Sequence, residues 1–289
     1  MREIAGRKLP MDLRLLNRSD FATVMAFKDM AGWNQSLLDW ERFLKLNPAG
    51  CFACEIGGTV VGIVTTIVYG SGNGCIGALF VAPLHRRRGI GATLFQAAID
   101  HLKDSGAENM RLITPPGGRP MFEKFGFVPD FEIDRYVLHR EASPSPGTAR
   151  TALPDFEKLL QADCEVFGTK RDELLHSLHA DAPDFTLASE LEGGIIGYAL
   201  GRGGSSADQL GPWVAWDPPT ARELLEEFMQ QSGRDTIIVD CPKSNEMARE
   251  LLLSKGFRIS RPAIQMMRGP NAQIGHPELF CGILGPDFA

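Results

Sequence analysis

The sequence predicts a duplicated α+β protein, and three observations carry that expectation. Strand and helix patterns follow one another in much the same order in each half of the chain. A stretch rich in Ser, Pro and Gly, Glu141-Ala-Ser-Pro-Ser-Pro-Gly-Thr-Ala-Arg150, splits the 289 residues into nearly equal halves and has no apolar periodicity. A short helix ends on Glu123-Lys-Phe-Gly-Phe127 in the first half and on Leu253-Ser-Lys-Gly-Phe257 in the second. Each glycine stands where a helix closes, and each Phe is the first core anchor of the next strand. One unit used twice is the simplest reading. It divides the chain into a domain at 1–141, a linker at 142–150 and a domain at 151–289.

In the first half, Met11–Leu16 alternates like a strand. Ser19 and Asp20 offer an N-cap for a helix over Phe21–Ala31, and Ser36 caps a second over Leu37–Leu46. Strands follow at Gly50–Ile56 and Val60–Tyr69, with Gly57-Gly58 between them as a two-residue hairpin signal. A third strand, Gly74–Val81, stops at Pro83, since proline cannot donate to a ladder. Gly91–Leu102 carries Leu94, Ala98 and Leu102 at helical spacing. Strand Asn109–Thr114, helix Arg119–Phe125 and strand Phe131–Arg140 complete this half. In the second half we expect helices at Pro154–Val166, Arg171–Ala180, Pro218–Gln231 and Asn245–Lys255. Strands are expected at Asp184–Glu190, Ile195–Arg202, Ser206–Val214, Thr236–Cys241, Phe257–Ser260 and Ala263–Arg268.

Composition narrows the function. Hydrophobic residues make up 44% and charged residues 23%, ordinary for a globular chain long enough to bury a core without disulfides or metal. A net charge of -6 disfavours nonspecific binding to nucleic acid or membrane. The N-terminus lacks the apolar core of a signal peptide, and no run reaches about 18 apolar residues. A cytoplasmic protein is expected. Of six cysteines only Cys51 and Cys54 form a CxxC, inside an apolar strand and without a second ligand pair. They read as buried structural thiols, with no metal site.

The chemistry concentrates in Ala78-Leu-Phe-Val-Ala-Pro-Leu-His-Arg-Arg-Arg-Gly-Ile-Gly-Ala-Thr-Leu-Phe95, where a strand ends and a basic, glycine-containing loop opens into a long helix. The glycines let backbone approach a ligand closely. The free N–H groups of the loop and first helical turn, with the helix dipole and Arg86, Arg87 and Arg88, make an anion site suited to a pyrophosphate. A solvated basic run at a helix start is the plainer alternative. A Rossmann fingerprint is excluded because the next strand, Met110–Thr114, ends without the required acid. A P-loop is excluded because no Gly-Lys-Ser/Thr occurs.

Arg86-Arg-Arg-Gly-Ile-Gly-Ala92 resembles the Gln/Arg-x-x-Gly-x-Gly/Ala signature of the GNAT superfamily of N-acetyltransferases. Val81-Ala-Pro83 resembles the end of that family's fourth strand, and Phe122-Glu-Lys-Phe-Gly-Phe127 the motif after its fifth. The resemblance covers residues 11–140. With Gly32-Trp-Asn34, Gly50-Cys-Phe52 and Gly211-Pro-Trp213, the chain resembles bacterial tandem GNAT proteins of the YitH type. This implies two tandem domains, each a mixed, mostly antiparallel twisted sheet flanked by helices. It implies acetyl-CoA as cosubstrate, with its pyrophosphate on Arg86, Arg87, Arg88, Gly89, Ile90 and Gly91, extending to Ala92 and Thr93. Its pantetheine arm would lie along Leu79, Phe80 and Val81, and the oxyanion donor would be the N–H of Phe80 or Val81. An amine then attacks the thioester directly.

Departures from the pattern leave catalysis open. The thiolate-protonating Tyr of the family falls on Phe122, and Ile113 stands where relatives tend to carry an Asp. Glu55 and Glu123 are weak base candidates, each expected to be a solvated residue. The second half has Val214-Ala-Trp-Asp-Pro-Pro-Thr-Ala-Arg222 in place of the glycine loop and reads as a degenerate copy. Trp33, Asn34 and Trp213 are candidates for an acceptor pocket between the halves, whereas Trp40 reads as core and Asp217 as a helix cap. The leading expectation is acetylation of a small-molecule primary amine. A non-catalytic acyl-CoA sensor and a protein lysine or N-terminal acetyltransferase are the alternatives. A homodimer stays open.

Overall fold

The computed structural model describes residues 11–70, 72–141, 155–270 and 275–288, so the expected linker at 142–150 lies outside the described residues. The first half runs β1 (Met11–Leu15), α1 (Phe21–Ala31), α2 (Leu37–Leu46), β2 (Phe52–Ile56), β3 (Thr59–Tyr69), β4 (Asn73–Val81), α3 (Ile90–Asp104), β5 (Asn109–Thr114), α4 (Arg119–Glu123) and β6 (Val128–His139). The second runs α5 (Phe156–Phe167), α6 (Asp172–Asp181), β7 (Leu187–Leu191), β8 (Gly194–Gly203), β9 (Asp208–Ala215), α7 (Pro218–Gln231), β10 (Thr236–Pro242), α8 (Glu246–Ser254), β11 (Arg258–Arg268) and β12 (Phe280–Gly282).

Local chemistry explains most boundaries. Ser36 caps α2 in a capping box with Asp39. Gly57 and Gly58 turn the β2–β3 hairpin at φ 60° and 77°, the left-handed angles of a primed turn. Asp217 caps α7 as expected, accepting from the Thr220 N–H at 2.8 Å. The start of α1 differs from expectation. Asn17 caps a 3-10 turn over Arg18–Asp20, and the Asp20 carboxylate folds back onto the Asn17 N–H and onto Arg14 instead of capping α1. The two strands expected after Phe257 are one, β11, which absorbs Pro262 through register shifts against β6. β12, with no sequence signal, was not expected.

The strands form one sheet in the order β1-β2-β3-β4-β5-β11-β6-β10-β9-β8-β7, with β12 beside β9. Within each half the neighbours are antiparallel, except for short parallel pairings of β4 with β5 and of β10 with β9. Where the halves meet, their last strands cross over. β11 of the second half pairs with β5, and β6 of the first half pairs with β10. The cores follow the exchange. Met266 and Ile264 of β11 pack under α3, while Tyr136 and Leu138 of β6 pack with α7 and α8. On β3, Ile63 and Ile67 enter one core while Val64 enters another, so the sheet is covered on both faces. Phe27, Trp40 and Phe43 of α1 and α2 share their core with Leu159, Leu174 and Leu178 of α5 and α6, which joins the halves across the other face.

Candidate functional site

β4 and β5 run together only from Asn73↔Asn109 to Cys75↔Arg111 and then part. Divergence begins at a bulge in β4, where the pairing with β3 shifts register and Ala78 takes φ 46°, a costly angle for a residue with a side chain. Two contacts from the C-terminal segment hold it. The Ala78 N–H donates to Asp287 Oδ1 at 3.3 Å, and Gly77 is so close that an added Cβ would stand 2.9 Å from the Asp287 Cα. The gap opens into a cavity of about 160 Å³, walled by Ile76–Leu79, Leu112–Pro115, Trp33 and Phe122 from the first half and by Arg202, Gln209, Arg261 and Asp287 from the second.

Beyond β4 the chain makes a 3-10 turn at Pro83–His85 and enters α3 through Arg86–Gly89. Arg87 at φ 60° and Gly89 at φ 86° are left-handed, and no side chain caps the helix, so the first-turn N–H groups stay open. A Cβ at Gly89 would meet nothing within 4 Å. Arg86 through Gly89 are exposed, but the Arg86 side chain is partly engaged: its Nε donates to the Val81 carbonyl at 2.9 Å, and its guanidinium lies 5.6 Å from the Phe80 ring centroid. The loop follows directly on β4, the strand whose residues 76–79 line the gap.

The second half closes both features. Its matching helix start is filled by the Asp217 carboxylate and carries Pro218 and Pro219 in place of open amides. Its matching gap, where β9 and β10 part after Leu210↔Val239, is occupied by β12. Phe280 pairs with Val214, Gly282 with Trp213, and Ile283 bridges to Asp240. The same segment then crosses to the first half and ends beside Ala78. There Tyr69 Oη donates to the Phe288 carbonyl at 3.1 Å, and the Phe288 ring stacks on Phe43 at 5.1 Å.

The expected acceptor and base residues scatter. Trp33 lines the cavity, edge-on to Phe80 at 5.8 Å. Asn34 also lines it, but its Oδ1 accepts from the Ser206 and Ala207 N–H groups at 3.0 Å and its Nδ2 donates to the Ala207 carbonyl at 3.1 Å, so the amide ties the first half to the β8–β9 turn. Trp213, expected at the pocket, is instead fully buried in the α7–α8 core, because Gly282 of β12 covers its strand. Glu55 is outside the cavity, gripped by Arg14 at 2.6 and 2.8 Å, and Glu123 is an exposed partner of Arg119. Phe122 reaches the cavity edge-on to Phe95. Cys51 and Cys54 are buried free thiols, and burial pushes the Cys51 thiol up to about 12. Among the described residues no group of His, Cys, Asp and Glu is arranged to hold a metal ion, and no helix is long and apolar enough to cross a membrane.

Sequence reasoning missed the polar lining. Asp287 is the one carboxylate that lines the cavity among the described residues. Burial pushes its carboxyl above the usual carboxylate range and buried Asp39 adds to the rise, while Gln35, Arg202 and the Ala78 N–H partly offset it. Arg135 is bidentate with Asp240 at 2.7 Å for both bonds, and Arg202 holds Asp39 at 2.5 Å and Gln209 at 2.9 Å. The half-buried side chain of Arg261 makes no hydrogen bond or ion pair among the described residues.

A strand that parts from its neighbour beside an uncapped glycine turn, present once open and once plugged, defines a tandem acyl-transferase architecture. The Acetyltransferase (GNAT) family model matches residues 16–127 and the Acetyltransferase (GNAT) domain model matches residues 159–281. The chain belongs to the GNAT acetyltransferases and carries two such domains. It is 24% identical over 210 residues to the uncharacterized N-acetyltransferase YitH of Bacillus subtilis strain 168, covering 70% of this chain and 72% of that protein. Its fold matches a proposed acetyltransferase of Pyrococcus horikoshii with a TM-score of 0.80 at 20% identity, over 100% of this chain and 99% of that one. It also matches a tandem GNAT protein from the clavulanic acid biosynthesis pathway, with a TM-score of 0.57 at 14% identity, over 90% of this chain and 99% of that one.

Proposed function

We propose that this enzyme transfers an acetyl group from acetyl-CoA to the primary amine of a small molecule, in the cavity between its halves. One observation carries the reading: the strand gap and helix start are open in the first half, while the same two features are filled by the chain itself in the second. Residues 1–141 then hold the cosubstrate and residues 151–289 complete the acceptor pocket. The open amides of Gly89, Ile90 and Gly91, with Ala92, Thr93 and the charges of Arg87 and Arg88, suit the pyrophosphate. The splayed edge of β4 at Leu79, Phe80 and Val81 suits the pantetheine amides. Bound there, acetyl-CoA supplies a thioester whose carbonyl accepts the amine with loss of the CoA thiol.

The chain's own groups divide the remaining work. A backbone N–H of Phe80 or Val81 is assigned to the oxyanion. Asp287 takes one proton from the acceptor's ammonium, a role for which its raised carboxyl is suited. Phe122 has no proton to give, so the departing thiolate takes its proton through water. A non-catalytic sensor would draw support from Phe122 and from the missing acid near Ile113; Asp287, lining the cavity, offers a base in place of that acid. The size of the cavity and its position between the halves favour a small acceptor over a protein segment. Release of free CoA thiol from acetyl-CoA across a panel of small amines tests the reading. Tight acetyl-CoA binding with no thiol release from any amine would overturn it.

A further inference from the structure

We propose that the acceptor is an amine that also carries a carboxylate, its ammonium facing Asp287 and its carboxylate facing Arg261. The inference rests on the acetyltransferase reading above and names its substrate class.

The charges around the cavity sort into neutralised and free groups. Arg135 is held by Asp240, and Arg202 by Asp39, which also takes Arg42 at 2.5 Å. Those two wall cations are therefore already paired by buried carboxylates. Arg261, on β11, is the exception. It faces the same space, and no acceptor satisfies it among the described residues. A guanidinium presents a planar fork of donors that matches a carboxylate bidentately. A half-buried one left without a partner has lost part of its hydration with nothing in return, which a bound anion restores. Burial and Arg135 press against its charge, whereas Asp240 and Asp287 support it.

Asp287 supplies the opposite sign. Arg261 and Asp287 sense each other electrostatically, yet no ion pair within 4.0 Å joins them. Each is held in place by its own segment of the fold. Asp287 is anchored on the Ala78 N–H by the tail that passes against Gly77, and Arg261 is fixed on a strand locked between β5 and β6. A cation and an anion held in one cavity without touching form a receptor for a zwitterion. An uncharged-tail amine would satisfy Asp287 and leave Arg261 as it stands. The cavity, about 160 Å³, lies well below the roughly 300–1,000 Å³ of sites for larger ligands, so the acceptor is of amino-acid size.

The test compares amino acids with the amines left when their carboxyl group is removed, by CoA thiol release at saturating acetyl-CoA. The wild-type enzyme is expected to favour the carboxylate-bearing member by about 10- to 100-fold in kcat/KM, the worth of one charge-assisted hydrogen-bonded contact. Arg261→Gln is expected to bring that ratio toward one, chiefly through KM, and Arg261→Lys to keep part of it. Equal rates for the two members in the wild type, or a ratio unchanged in Arg261→Gln, overturns the inference and leaves the acetyltransferase reading standing. No thiol release from either class takes both down.

Discussion

Asp287 shows how much one residue's surroundings decide. In the tail Gly285-Pro-Asp-Phe it has no motif and no periodicity, yet the fold sets it on the strained Ala78 of β4. Its carboxyl is raised by burial and by Asp39, against Gln35, Arg202 and the Ala78 N–H, with the cationic Arg261 across the cavity. A base works ionised, so kcat/KM should rise with pH through this raised value, placing the acidic limb above the ordinary carboxylate range. Asp287→Asn should cut kcat by about 10²- to 10⁴-fold and remove that limb. A pH profile with the same limb in the variant would count against the assignment. The loop proposed to hold acetyl-CoA gives a second residue-level test. Gly89→Asp with Gly91→Asp places carboxylates at the open helix start, and acetyl-CoA affinity should fall by more than about 100-fold in calorimetric titration of the folded variant. The open helix start at these glycines was legible in the sequence because backbone amides left uncapped depend on local spacing. The acid was not, because its partner lies more than two hundred positions away in the chain.

At the scale of elements, the two strand gaps explain why one half is open and the other closed. β4 and β9 each part from a parallel neighbour after three paired positions. In the second half β12 fills the space, and Gly211 permits it: a Cβ there would stand 2.0 Å from the Ile283 carbonyl oxygen. In the first half Gly77 lets the tail graze the strand without filling the gap. Gly77→Ala should therefore push the tail and Asp287 away from Ala78. We expect a loss of about 1–3 kcal/mol in denaturant unfolding and a fall in kcat larger than any change in acetyl-CoA affinity. Unchanged turnover would mean that the tail position does not matter to the reaction. Helices and long strands were readable from capping residues and apolar spacing, as with Ser36 before α2 and the Gly57-Gly58 hairpin. β12 was not, since three residues carry no period and its pairing is made entirely by distant β9.

For the whole molecule, the exchange of β6 and β11 makes the halves interdependent. Without residues 151–289 the first half loses β11, and with it the cover on β5 and the Ile264 and Met266 that pack under α3. β6 would be left with its apolar face toward water. Residues 1–150 expressed alone should fail to give a cooperative unfolding transition or to bind acetyl-CoA, whereas the full chain should unfold with both halves together. Independent melting of a soluble 1–150 fragment would show that the exchange is not needed. Arg135 with Asp240 reinforces the same seam, joining β6 to β10 through two hydrogen bonds in a buried place.

What the sequence determined by itself is what local physics encodes: the order of helices and strands, the duplication, and an uncapped, glycine-bearing helix start at Arg86, Gly89 and Gly91. Tertiary structure alone decided which strands cross between the halves, why Trp213 is core rather than pocket, and how Asp287 and Arg261 come to share one cavity. The reason is that strand pairing and cavity lining are set by contacts between residues far apart in the chain, which no window of sequence contains.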